Sequence, residues 1–225
     1  MDAAPSRCAV CGAWPAQPGC SACVQRFAPP CHRCRRCALP LPEGVRECGA
    51  CLREPPPLDS CHAAVSYGYP WADLVGDLKF HGQPGWAGTL AALMRAAAGA
   101  ADALASAQRV IPMPLSPERL ARRGYNQALE LARRLAPDRT DATLLLRLRD
   151  TPVQTALGRR ERQANVRGAF GVEPLRQAQL RGPRVLLVDD VMTSGASLFE
   201  AARALRGAGA SGVAALVFAR TDEPD

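Results

Sequence analysis

All ten cysteines of this 225-residue chain lie between Cys8 and Cys61, and the 164 residues that follow contain none. Eight of them form four pairs with a two-residue gap: Cys8/Cys11, Cys20/Cys23, Cys34/Cys37 and Cys48/Cys51. Cys31 and Cys61 are left over. A two-residue gap lets a tight turn aim two thiolates at one ion, and two such knuckles complete a tetrahedral S4 shell. Eight residues separate the first two knuckles and ten the second two, room in each case for a short ribbon. This spacing fits zinc better than an iron–sulfur cluster, and two structural Zn2+ sites are expected. The competing uses are a redox or disulfide-bonded segment, or one zinc with spare thiols. Cys31 and Cys34 make an equally good knuckle by spacing; we assign the pair to Cys34 and Cys37. Disulfide frameworks belong to exported chains. The start, Met-Asp-Ala-Ala-Pro-Ser-Arg-Cys, has neither the basic stretch nor the apolar run of a secretory leader. A cytoplasmic setting is therefore expected.

Ten of the 20 prolines also fall in residues 1–60, ending in Pro55-Pro56-Pro57. A segment so short of apolar periodicity cannot build its own core, so metal binding has to supply its folding free energy. We draw a boundary near residue 58, giving 1–58 as one domain and 59–225 as another. The second part alternates strand-like and helix-like stretches, the pattern of a mostly parallel α/β sheet. Strands are expected at 62–68, 109–113, 185–188 and 213–219, and helices at 71–80, 86–108, 117–135 and 196–206. The longest apolar runs fall well short of the roughly 20 residues that span a bilayer.

Residues 109–167 carry 13 arginines and 6 acids, a surplus of +7 that equals the net charge of the whole chain. Guanidinium groups fork onto phosphate oxygens and never deprotonate, so the surplus suits a phosphate partner, either a polyphosphate small molecule or a nucleic-acid backbone. A solvated basic face is the plain alternative. Lys79 is the only lysine.

The stretch Val185-Leu-Leu-Val-Asp189-Asp190-Val-Met-Thr193-Ser194-Gly195-Ala196-Ser197 bears the chemistry. A buried strand delivers two adjacent acids at its C-terminal end, where open α/β sheets bind ligands. A loop of small residues then opens into a helix, so Thr193, Ser194, Gly195, Ala196 and Ser197 can wrap N–H groups and hydroxyls around a phosphate. The two carboxylates, one phosphate-width away, suit vicinal hydroxyls or a Mg2+ shell. Together these groups read a phosphorylated sugar. A capped helix after a strand explains the Ser and Thr residues but not two consecutive acids.

This stretch resembles the phosphoribosyl-pyrophosphate (PRPP) motif of type I phosphoribosyltransferases. With a double zinc ribbon in front, the chain resembles the ComF family, phosphoribosyltransferase-like proteins linked to competence and DNA uptake. Further family-like stretches are Leu78-Lys79-Phe80-His81-Gly82, Pro112-Met113-Pro114-Leu115 running to Arg123-Gly124-Tyr125-Asn126-Gln127, and Asp150 to Phe170. The resemblance spans roughly residues 8–220. It implies a type I phosphoribosyltransferase-like parallel sheet core behind an N-terminal double zinc ribbon. It also implies that Asp189 and Asp190 hold the ribose hydroxyls and act in catalysis, while Thr193 to Ser197 hold the 5′-phosphate. Arg119, Arg122 or Arg123 would reach the diphosphate, with Mg2+ sharing its charge. We favour a phosphate contact for Lys79. Gln154, Arg162 and Asn165 are candidates on a flexible loop over the site.

One departure matters. Purine-salvage relatives carry an acid where Thr193 stands, so salvage of 6-oxopurines is disfavoured. Two functions are expected to compete. One is a PRPP-binding phosphoribosyltransferase of unknown acceptor that handles incoming single-stranded DNA. The other is a non-catalytic adaptor binding DNA or a helicase-like competence partner, with PRPP as a regulatory ligand. An aromatic content of only 5% leaves few platforms for stacking bases.

Overall fold

A computed structural model of the chain describes residues 6–149 and 165–222. Among them are strands β1 (Ser60–Ser66), β2 (Arg109–Pro112), β3 (Leu145–Arg147), β4 (Phe170–Val172), β5 (Arg184–Met192) and β6 (Gly212–Arg220). The helices, in chain order, are α1 (Ser21–Phe27), α2 (Gly49–Arg53), α3 (Trp71–Phe80), α4 (Trp86–Ala96), α5 (Ala100–Ser106), α6 (Pro117–Arg123), α7 (Gln127–Leu135) and α8 (Ala196–Gly207).

Four strands form a parallel sheet in the order β1-β6-β5-β2. Val185 to Val188 is buried on both sides, as an all-apolar run in a parallel sheet must be. Val185 and Leu187 pack with α8, while Leu186 and Val188 pack with α3, α4, α5 and α7. Strands β3 and β4 form a separate antiparallel pair on either side of residues 148–169. No alternating pattern marks these three-residue strands, and they were not among the expected elements.

Two of the expected helices are broken. The stretch 86–108 divides at Gly99, whose φ of +75° belongs to the left-handed region. A Cβ there would come within 2.5 Å of the His62 ring, which Ala98 holds through its carbonyl at 2.8 Å from Nδ1. Conformation and space both demand glycine. The stretch 117–135 divides after Gly124, and two side-chain caps restart the helices. Ser116 Oγ accepts from Arg119 N at 3.4 Å ahead of Pro117, and Asn126 Oδ1 accepts from Ala128 N at 2.9 Å. These small polar residues let one chain segment turn twice within about ten residues, which keeps α6 at the sheet's carboxyl end.

The N-terminal segment straddles the β1 edge. Cys34, Cys37, Cys48, Cys51 and Leu58 are buried in the same cluster as α8 and one face of the sheet. Val24, Phe27 and Ala28 pack on the opposite face. Cys61 N donates to Arg35 O at 2.8 Å, and Arg33 donates to Ser66 Oγ at 3.2 Å, so part of the open edge is covered. The junction is tied as well: Arg36 donates to Leu58 O, and Arg206 meets both Pro57 O and the Asp59 carboxylate.

On the other side, Trp71, 1% exposed, donates from Nε1 to Phe27 O at 2.6 Å. Trp71→Phe removes that donor and leaves the carbonyl beside it unmet. We expect a loss of about 1–2 kcal/mol in denaturant unfolding; an unchanged midpoint would show that the contact contributes nothing.

Candidate functional site

Strand β5 carries the two acids near its C-terminal end, ahead of Val191 and Met192, and the backbone orients both. Asp189 Oδ1 accepts from Asp190 N, and Asp190 Oδ1 from Val191 N, each at 2.9 Å. Asp190 is 3% exposed, and Lys79 Nζ sits 2.8 Å from its Oδ2. The expected phosphate ligand is thus paired with an acid of the site.

The two carboxyls split in their proton affinity. Burial pushes Asp189 well above the usual carboxylate range, and the neighbouring Asp190 charge adds to it. Burial also acts on Asp190, but the Lys79 ammonium outweighs it, helped by Gln127, and holds this group low.

These groups line a cleft of about 350 Å3. Its cationic wall is made by Arg119, Arg122 and Arg123, which share one face of α6 at positions i, i+3 and i+4, and by Arg147 from β3. Arg123 stacks on the Phe80 ring at 5.4 Å and donates to Gln127 Oε1. Burial lowers its pKa from the free value. Arg147 stacks on Phe170 at 5.4 Å. Sequence reasoning missed Gln127, Phe80 and Arg147 as wall residues. The first two lay inside recognised stretches, but Arg147 enters only through the β3–β4 pairing, which no local signal announced.

Ser197 lines the cleft beside the acids, and the turn from Thr193 to Ala196 adjoins it. Thr193 is exposed, while Ser194, Gly195 and Ala196 are buried. Gly195 has φ +80° and caps the 12-residue helix α8, whose first N–H groups have no intrahelical partner. A Cβ on Gly195 would lie 2.4 Å from Met192 Cε and 2.6 Å from Phe199 Cζ. Gly195→Ala should cost about 1–3 kcal/mol from the left-handed conformation alone, with the clash in addition. A denaturant midpoint equal to wild type would contradict this. Asn165 is half-buried and is not part of the cleft wall; Gln154 and Arg162 lie outside the described residues.

The sulfurs of Cys8, Cys11, Cys20 and Cys23 lie within 4.8 Å of one another, as do those of Cys34, Cys37, Cys48 and Cys51. The second group contains Cys37, and Cys31 is exposed with its thiol on His32 O. Both groups share one plan: a backbone N–H reaches back to the first sulfur (Cys20 N to Cys8, Cys48 N to Cys34), and a short helix starts after the third cysteine. Burial raises the Cys8 thiol, yet backbone N–H groups of Cys20, Cys11 and Val10 outweigh it and bring the group to about 6. Cys37 falls to about 5 under hydrogen bonding from Cys51. Each quartet can hold a metal ion, and its donor set is that of a soft or borderline divalent ion.

No helix among the described residues is long and apolar enough to cross a membrane. The phosphoribosyl transferase domain model matches residues 120–224. The DNA utilization protein YhgH of Salmonella typhimurium is 32% identical over 208 residues, covering 90% of each chain. Its namesake from Escherichia coli strain K12 is 30% identical over the same share. Competence protein F of Haemophilus influenzae is 32% identical over 181 residues, 77% of this chain and 78% of that one. A phosphoribosyltransferase-type sheet and loop, two cysteine quartets ahead of it, and relatives matched along nearly the whole chain agree: the chain belongs to the ComF family.

Proposed function

We propose that the cleft binds PRPP with Mg2+, and that the protein is a phosphoribosyltransferase-type protein acting in the handling of incoming single-stranded DNA. The observation that carries this is the opposition, across one 350 Å3 cleft, of the Asp189–Asp190 pair and four arginines. Asp189 and Asp190 take the ribose hydroxyls, Thr193 to Ser197 take the 5′-phosphate, and Arg119, Arg122, Arg123 and Arg147 take the diphosphate. Mg2+ arrives with the diphosphate, and hard carboxylate oxygens at the cleft suit it.

Transfer from PRPP breaks the bond from C1 to the diphosphate while positive charge builds on the ribose. Preoriented guanidinium groups on the leaving group and carboxylates near the ring stabilise that separation of charge. Lys79 keeps Asp190 ionised before ligand arrives and would pass to a phosphate oxygen once the diol takes its place. Zn2+ in both quartets would hold residues 1–58 as a double ribbon against a core of 59–225. In each quartet the four sulfurs lie within reach of one tetrahedral ion.

Thr193 supports a second reading. It places no acid where a base for a purine acceptor would stand, which suits a protein that binds PRPP without transferring it and serves as an adaptor for DNA or a helicase-like partner. Calorimetry with PRPP and Mg2+ tests the pocket, and pyrophosphate release with candidate acceptors separates enzyme from adaptor. For the DNA part, affinity for single strands is expected to fall steeply between low and moderate salt, because arginine–phosphate contacts release counterions. A flat response would count against an arginine-based interface.

A further inference from the structure

Arg220 ends β6 with only 1% of its surface exposed, although a guanidinium is among the costliest groups to bury. Its place is between two sites. Nε donates to Cys37 O at 2.9 Å, the carbonyl of a ligand in the second cysteine quartet. Nη1 lies 3.5 Å from Met192 O and also donates to Thr221 O. In the β5–β6 ladder Met192 is the direct partner of Arg220, and Thr221 N donates to the same Met192 carbonyl at 3.1 Å.

Met192 is the last residue before the Thr193–Ser197 loop, and its side chain supports that loop from beneath. Its Sδ lies 3.6 Å from the buried Cys61 thiol, and its Cε occupies the space that any side chain at position 195 would need. An unbroken line of contacts therefore runs from the Cys37 knuckle through Arg220 to Met192 and on to Gly195.

We infer that Arg220 is a positioning residue that couples metal occupancy of the Cys34/Cys37/Cys48/Cys51 quartet to the conformation of the Thr193–Ser197 loop. A bound ion fixes the Cys37 carbonyl; that carbonyl fixes the guanidinium; the guanidinium fixes the end of β5 from which the loop springs. A weaker hold on the ion frees the first link and loosens the loop before the fold itself gives way. The first quartet's lobe packs against the other face of the sheet. The ligand half of this inference rests on the proposed PRPP site, and coupling between two binding sites is reciprocal. PRPP should therefore hold the second ion in place, and the ion should tighten PRPP.

Two measurements on the full-length, zinc-loaded protein test it. The first is amide hydrogen exchange of residues 193–197 in wild type, Arg220→Lys and Arg220→Met, with zinc content checked. Exchange is expected to rise about tenfold in Arg220→Met while both zinc ions stay bound, and to rise less in Arg220→Lys, which keeps a donor. Unchanged loop exchange in both variants overturns the coupling, whatever PRPP does. The second is the rate of zinc transfer to a chromogenic chelator from wild type, with and without PRPP and Mg2+. The slower-releasing ion should be retained severalfold longer with PRPP present. Equal rates in a protein that binds PRPP overturn the coupling, whereas absence of PRPP binding overturns the proposed function and leaves the exchange result to decide the coupling.

Discussion

Replacing Asp189 and Asp190 together by Asn is expected to weaken PRPP binding at least about a hundredfold. Each carboxylate gives charge-assisted hydrogen bonds of about 1.5–3 kcal/mol, and every 1.4 kcal/mol is about tenfold in affinity. Calorimetry in the presence of Mg2+ reads this directly, and an affinity equal to wild type would remove the acids from the site. The single variants should part in stability, because the two groups are displaced in opposite directions. Burial and the Asp190 charge raise Asp189, so its ionised form destabilises the fold at neutral pH. Asp189→Asn should therefore stabilise the ligand-free protein by about 0.5–2 kcal/mol, a common exchange of activity for stability. By the same linkage, the Asp189 contribution to wild-type stability grows as pH falls through its raised folded pKa toward the unfolded value near about 4. Asp190 behaves in the opposite way. Lys79 holds it low, so its stabilising effect is present above the unfolded value and fades as pH falls through the folded one. Asp190→Asn should lower stability, since it removes the carboxylate charge that faces the Lys79 ammonium at 2.8 Å. If both single variants shift the thermal midpoint in the same direction, the assignment of opposite charge environments fails.

A second large effect is expected from metal removal, and the two quartets should answer differently. Cys34, Cys37, Cys48 and Cys51 are all buried within the cluster that joins α8 to the sheet. In the first quartet Cys11 is exposed and Cys20 half-buried. A chelator should therefore strip the first ion early, with little loss of α/β signal in circular dichroism. Loss of the second ion should coincide with cooperative unfolding. A structural zinc contributes about 10–16 kcal/mol of binding free energy at neutral pH, which matches or exceeds the about 5–15 kcal/mol that holds a whole domain together. Cys37→Ser should then yield little folded protein, while Cys11→Ser should leave a folded core with one zinc per chain. Release of the second ion first, or of both together without unfolding, would contradict this.

The cysteine quartets were legible because metal ligation needs side chains at short fixed spacings, and spacing is a property of sequence. The choice of Cys37 over Cys31 was not forced by spacing, since both fit; packing decided it by burying Cys37 and leaving Cys31 in solvent. The strand carrying Asp189 and Asp190 was legible for a similar reason: an all-apolar run of four followed by two acids and a small-residue loop is a local signal. The broken helices at 86–108 and 117–135 were misread because Ala- and Leu-rich periodicity continues through Gly99 and Gly124. The interruption is imposed by tertiary demands, the His62 ring and the need to bring α6 to the cleft.

What the sequence by itself determined is therefore the inventory: two quartets of thiols, a parallel α/β core, a pair of acids before a phosphate-type loop, and a surplus of arginine. All of these follow from spacing, periodicity and composition, which act over a few residues. The tertiary structure alone decided who meets whom. It set Lys79 on Asp190 from a helix more than a hundred residues earlier, brought Arg147 into the cleft through a strand pair with no local signature, and buried Arg220 between Cys37 and Met192. Contacts of that separation depend on how layers pack around a shared core, and no window along the chain contains both partners.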